Sequence, residues 1–360
     1  MNEKYLFTGE TKEYCSRTLR RICAKKDFQS QGRFVKSGEL GGWIEDESCL
    51  SQEGSAWVAD NSFVTKMARI SGNAIVSGEA RIDGSVYISD NVSISDHVRV
   101  ECNQGIIHIG GLSRITDSVV IDCRSQGRIK INGSPRIYGS CLLSANGGHI
   151  NIDGAPIIHG YVEVYAYDGH NNAVQIDGEP EIYARSCLTG RCKIGEKARV
   201  HGNACIYDDA IVKGLADVSG YIKVGGRVTV EGTARLTGAK SGIQKSSVVS
   251  DLSGCAYISD NAVISSAKDM LVLGPFGESS TYLTFYKTRG AISVVIHKAI
   301  LHEQFVHGIG STIQVEHPVV LSVNELSDVS VANAIDDTTA DIIDILPHAI
   351  AIAKAKLQSI

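Results

Sequence analysis

Residues 176–236 read IDGEPEIYARSCLTGRCKIGEKARVHGNACIYDDAIVKGLADVSGYIKVGGRVTVEGTARL, and counting in sixes from Ile176 returns an aliphatic residue at every step: Ile182, Leu188, Ile194, Val200, Ile206, Val212, Val218, Val224, Val230 and Leu236. Two places after most of these stands a turn-former, as in Gly190, Gly202, Asp208, Gly214 and Gly220. Four places after them stands a small side chain, as in Cys192, Ala198, Ala204, Ala210 and Ala216. A helix repeats its apolar residues at three and four and a simple strand at two, so neither yields a strict period of six. A coil of short strands joined at corners does. The aliphatic residue points inward and glycine or aspartate takes the backbone angles of the corner. The small residue fits inside the bend. Three such edges close a triangular coil, and coils stack through parallel backbone hydrogen bonds about 4.8 Å apart. The expected fold class is an all-β solenoid, a parallel β-helix in which each coil touches only its neighbours.

Outward from this stretch the same count holds upstream at Val58, Val64, Ile70, Val76, Ile82, Ile88, Ile94 and Val100. It then breaks in an orderly way. Ile109, Ile115 and Ile121, then Ile131, Ile137 and Leu143, then Ile152, Ile158 and Val164 form triplets, separated by steps of nine, ten, nine and twelve residues. Three hexads make one coil, so the longer segments 101–108, 122–130, 144–151 and 165–175 are expected at one corner on consecutive coils, as a ridge. The outward ladder beside it is predicted to be His108, Lys130, Asn151 and Gln175. Pro135, Pro156 and Pro180 form a second column, where a fixed φ suits a corner that asks no hydrogen bond of that nitrogen. About nine coils are expected between Val58 and Leu236.

The quoted hexads resemble the hexapeptide repeat of left-handed parallel β-helices, and the left hand is an implication of that resemblance alone. The segment LGGWIEDESCLSQEGSAWV (40–58) is similar to the start of a group of uncharacterised bacterial and phage hexapeptide-repeat proteins, often described as transferases or polymer-forming proteins. The words GPFG and TFYKT resemble the tail domain of some phage members. The domain reading is a β cap over 1–43, the solenoid over 44–268 and a small α/β domain over 269–360 that closes the coil or mediates assembly. Within the last, HKAILHEQFVHGI reads as a short helix and DTTADIIDILPHAIAIAKAKL as a helix interrupted before Pro347.

Composition narrows the function classes. Thirty-seven glycines against six prolines and 6% aromatic residues suit a narrow aliphatic core with many corners. A net charge of −5 offers no electrostatic case for generic nucleic-acid or anionic-membrane binding. No apolar run reaches the roughly twenty residues that span a bilayer, and the polar start has no signal-peptide core, so a cytoplasmic location is expected. The ten cysteines show no CxxC pair and read mostly as small buried hydrophobes. Cys102 and Cys123 fall at the same place on adjacent coils and read as a small-residue ladder. No histidine or carboxylate set repeats beside them as a zinc site requires, and no metal is expected. The basic cluster Arg17, Arg20, Arg21, Lys25 and Lys26 reads as a solvated strand face.

Many hexapeptide β-helices are CoA-dependent acyltransferases, usually trimers with a histidine base between subunits. That resemblance makes a homo-oligomer, most simply a trimer, the expected assembly. Candidates for the base are His149, His159, His170 and His201. His170 is best placed, in YAYDGHNNA, with Asp168 near enough to orient it and Tyr165, Tyr167 and Asn171 beside it. The competing reading is a glycine-rich turn whose Asp, Asn and His favour unusual backbone angles. The ridge as a whole carries Asp122, Arg124, Arg128, His149, Tyr165, Tyr167, Asp168 and Asn171, a mixture found on ligand and protein surfaces and equally on a solvated polar edge. Two functions follow. The first is a non-enzymatic scaffold that presents the ridge to a partner, a host protein or a signalling nucleotide if the phage resemblance holds, and needs no cofactor. The second is an acyltransferase with His170 as general base and acetyl-CoA or another acyl-CoA as cosubstrate.

Overall fold

The computed structural model describes residues 3–358 except 66, 124–126, 146–147, 166–172, 239–250, 253–255, 260, 277–280, 289–290, 303–311, 324–341 and 343. The chain is nearly all β, a parallel β-solenoid of about nine turns, and Leu346–Gln358 is the α-helix among the described residues. It divides into two compact units, residues 1–187 and 188–360.

The first unit opens with three antiparallel strands, Tyr5–Tyr14, Arg17–Ala24 and Leu40–Ile44. The third of these turns into the first coil, because Trp43 and Ile44 pair in parallel with Phe63 and Val64. The coil is therefore seeded at Ile44, whose wall carries Val64, Ile82, Val100, Ile121, Leu143 and Val164 in succession. A second wall carries Ile70, Ile88, Ile109, Ile131, Ile152 and Ile176. A third carries Val58, Val76, Ile94, Ile115, Ile137, Ile158 and Ile182. All of these side chains are buried. Burying each one stabilises by about 1.5–3 kcal/mol, and the period of six exists because only every sixth residue reaches the axis of a wall.

The corners are made by glycine and aspartate at positive φ, among them Gly72, Gly78, Gly111, Gly133, Gly154 and Gly178, and Asp60, Asp90, Asp96 and Asp117. Aspartate bears the left-handed conformation here because its carboxylate has a task. Asp60 accepts the Gly78 amide at 3.0 Å, Asp90 that of Gly111 at 2.9 Å, and Asp117 that of Gly139 at 3.0 Å, each on the following coil. Pro135, Pro156 and Pro180 are buried, and their carbonyls accept the amides of Arg114, Arg136 and Ile157.

The second unit repeats the scheme with buried Ile194, Val200, Ile206, Val212, Val218, Val224, Val230 and Leu236, and the coil continues at Leu252, Ile258 and Ile264. It ends in a four-stranded antiparallel sheet of Met270–Phe276, Thr281–Thr288, Ala291–His302 and Thr312–Ser322. Leu346, Ala349, Ala353 and Leu357 of the helix pack on Leu283, Phe285, Val294 and Ile296 of that sheet. One expectation is corrected here. Residues 297–302 are strand and not helix, because Ile292, Val294 and Ile296 alternate onto the buried face and Ala291–His302 pairs with a neighbour on each side. The helix expected around Pro347 is described over Leu346–Gln358, with Pro347 in its first turn, where its missing N–H would be unsatisfied anyway; residues 337–341 and 343 of that expectation lie outside the described residues.

Gly133→Ala tests the corner geometry. Gly133 has φ +70° and an added Cβ would fall on the Gly154 carbonyl oxygen of the next coil, so the substitution is expected to cost more than about 1 kcal/mol in chemical unfolding. His297 gives a pH prediction. It is 3% exposed, its Nε2 lies 3.1 Å from the Thr284 hydroxyl, and burial pushes its pKa down to about 4. The folded state thus resists a proton that the unfolded chain accepts from about pH 6.5 downward. Its contribution is intact above that value and lost as pH falls towards 4, by about 3 kcal/mol. Urea midpoints of the intact protein should drop over this interval, and less steeply in His297→Phe.

Candidate functional site

The first two walls meet at the lengthened corner. On the first-wall side the strands extend past the core residue, so that Glu101 pairs with Asp122, Asp122 with Ser144 and Ser144 with Tyr165. On the second-wall side they begin early. Ile106 pairs with Arg128 and Arg128 with His149, and one residue pair further on His108 pairs with Lys130, Lys130 with Asn151 and Asn151 with Gln175. Beneath these outward rows lies an added core. Cys102, Cys123 and Ala145 are buried on one side, and Ile107, Ile129, Ile150 and Val174 on the other. The described parts of the extra chain thus extend the packed core on both sides of the corner.

The corner has two differently charged flanks, acidic at Glu101 and Asp122 and basic at Arg128 and Lys130. Arg128 is exposed and His149 half-buried. Burial, with the neighbouring Arg128 guanidinium, lowers the His149 pKa. His108 stacks on Tyr87 of the preceding coil, with ring centroids 5.0 Å apart. Cys102 and Cys123 face each other across neighbouring coils. Donation to Cys123, then burial, raises the Cys102 thiol, while the bond from Cys102 lowers Cys123 against its own burial.

Of the predicted site residues, Asp122, Arg128 and His149 are brought to this one edge. Tyr165 joins it through its backbone. Arg124, Tyr167, Asp168, His170 and Asn171 lie outside the described residues. The other candidate bases are held in place. His159 is clamped between Tyr138 and Tyr183 at 5.0 and 5.2 Å with rings nearly parallel, and its Nε2 lies 3.6 Å from Glu181. His201 Nε2 lies 2.9 Å from Asp217. The N-terminal basic cluster is largely internally compensated: Arg17 pairs with Asp83, Arg21 with Glu10 and Lys25 with Glu3, while Arg20 stacks on Phe7.

Sequence reasoning missed the outward face of the third wall. There Arg114 and Arg136, each one residue before a core isoleucine, pair in register, beside the Tyr138–His159–Tyr183 stack. Tabulating the residues one before and one after each core position would have revealed both columns.

Among the described residues no group of three or more His, Cys, Asp or Glu side chains converges as a metal site, and no helix is long and apolar enough to cross a membrane. No family model matches the chain, and no curated protein matches it. The described part of this edge presents opposite charges on its two flanks, with His149 beside Arg128 and His108 stacked on Tyr87.

The Arg128–His149 contact is directly testable. In Arg128→Ala the His149 pKa should rise towards the ordinary histidine value, seen in a two-dimensional NMR titration of the ring protons. An unchanged titration would separate the two side chains.

Proposed function

We propose that the chain is a non-enzymatic binding scaffold whose lengthened corner engages a protein or small-molecule partner, a nucleotide among the latter. One observation carries this reading: over consecutive coils the described parts of the added segments pair in parallel on both sides of the corner and bury their own rungs, so selection for length at this corner has built a surface. A corner that merely tolerated insertions would have no reason to bury Ile107, Ile129, Ile150 and Val174 in one column. The finer identity, a left-handed hexapeptide-repeat protein of phage origin that self-associates and acts on a host component in the cytoplasm, is supported by the sequence resemblance and by the six-residue step of the buried rungs. The acyltransferase alternative draws on the same resemblance, with His170 as its base.

The test uses full-length protein as bait. The triple variant Asp122→Asn, Arg128→Ala, His149→Ala should lose a partner that wild type retains, with a melting temperature within about 2 °C, since surface changes away from the core cost little. Retention of the partner by the triple variant moves the interface off this edge. Incubation with millimolar acetyl-CoA separates the two functions: a thermal shift together with turnover abolished by His170→Ala would replace the scaffold with an enzyme.

A further inference from the structure

We infer that the third wall carries an anion site for a phosphorylated small molecule, gripped by Arg114 and Arg136. This goes beyond the proposed function, because the wall is not part of the lengthened corner. The two arginines sit on neighbouring coils in direct register, about 4.8 Å apart along the backbone. Like charges placed directly opposite on neighbouring strands destabilise a sheet, and the residues next to them in their column carry no opposite charge. Within their column the flanking residues are Ser93 and Ile157. Two residues ahead of them on the same strands stand Leu112 and Ser134, and two residues after them Thr116 and Tyr138. Among the described residues neither guanidinium is ion-paired or hydrogen-bonded to a side chain, whereas Arg17, Arg21 and Arg33 of the same unit each have a carboxylate.

The pair opens onto a groove of about 460 Å³ lined by Leu112, Ser134, Ile157 and Glu179 together with the two arginines. Its floor is preorganised. The Arg114 and Arg136 amides are fixed to the Pro135 and Pro156 carbonyls at 2.9 Å, so the proline column sets the direction of both strands. Guanidinium forks bind the oxygens of phosphate in pairs, and a dianion between two forks removes their mutual repulsion. The Ser134 hydroxyl adds a donor at the same level. Glu179 lies two coils beyond Arg136, roughly 10 Å away at the coil spacing. The lining places phosphate at the arginines and an uncharged body against Leu112 and Ile157. A phosphate monoester with a compact neutral body meets these terms.

Calorimetry on the full chain with glucose 6-phosphate, inorganic phosphate and succinate tests the assignment. Glucose 6-phosphate should bind most tightly, with affinity falling as salt rises because the groove is open to solvent. Arg136→Lys, which keeps the charge and loses the fork, should weaken it about tenfold, and Arg114→Gln with Arg136→Gln should abolish it. Lys36→Gln, an exposed cation of the N-terminal strands, should change nothing. The double variant should melt no lower than wild type without ligand, since it loses only repulsion. Three results overturn the site: no heat from the ester at millimolar concentration, equal binding by the double variant, or equal affinity for succinate. Inorganic phosphate matching the ester would overturn the monoester class, because the groove body would then contribute nothing. Since none of these variants touches Asp122, Arg128 or His149, failure here leaves the corner reading standing, and the converse also holds.

Discussion

Alternate amides on a coil wall of the first unit donate to carbonyls one coil further on, as Ser93 does to Ser113, Arg114 to Pro135, Arg136 to Pro156 and Ile157 to Pro180, all at 2.9 Å. This parallel ladder is the constraint from which the remaining features follow. It permits no slip, because a shift of one residue would turn every buried isoleucine outward and every arginine inward. It also converts sequence into columns. A residue type repeated at one hexad position becomes a continuous strip of that type, whether an apolar core, a corner of glycines and aspartates, or a row of charges.

Function in such a molecule is a matter of which columns are interrupted and how. At the corner of the first two walls the interruption is extra length: the register shifts between the two walls, and on either side of the shift Cys102, Cys123 and Ala145 and the Ile107 column extend the core. On the third wall the interruption is one of charge. Arg114 and Arg136 replace the neutral residues Ile75 and Ser93 below them, and Ile157 resumes above. On the third wall the paired backbone does not have to be ordered when a ligand arrives, which removes part of the entropic cost of binding.

The solenoid was legible in the sequence because a single inward residue per hexad leaves a period that no helix or ordinary strand shares. The common corner of the insertions was legible for the same reason, from step lengths alone. What the sequence concealed was local. HKAILH carries the composition of a helix, yet the strand Ala291–His302 takes it, since pairing on both sides outweighs weak intrinsic preference. The start of the helix at Leu346 could not be placed without the packing of Leu346 and Ala349 on the sheet. The arginine pair escaped notice because 22 residues separate Arg114 from Arg136, and only the stacking of coils makes them neighbours. His170 and the tips of the long segments carried the catalytic expectation, and they lie outside the described residues.

The central claim is that successive coils stack in strict register. Methyl NOEs on isoleucine-labelled protein measure it most directly. The account predicts an unbroken run of contacts from Ile94 to Ile115, Ile137, Ile158 and Ile182, each linking residues that are more than twenty apart in sequence. A contact map that lacks the Ile115–Ile137 and Ile137–Ile158 steps, or that pairs Ile137 with residues of another wall in their place, would contradict it.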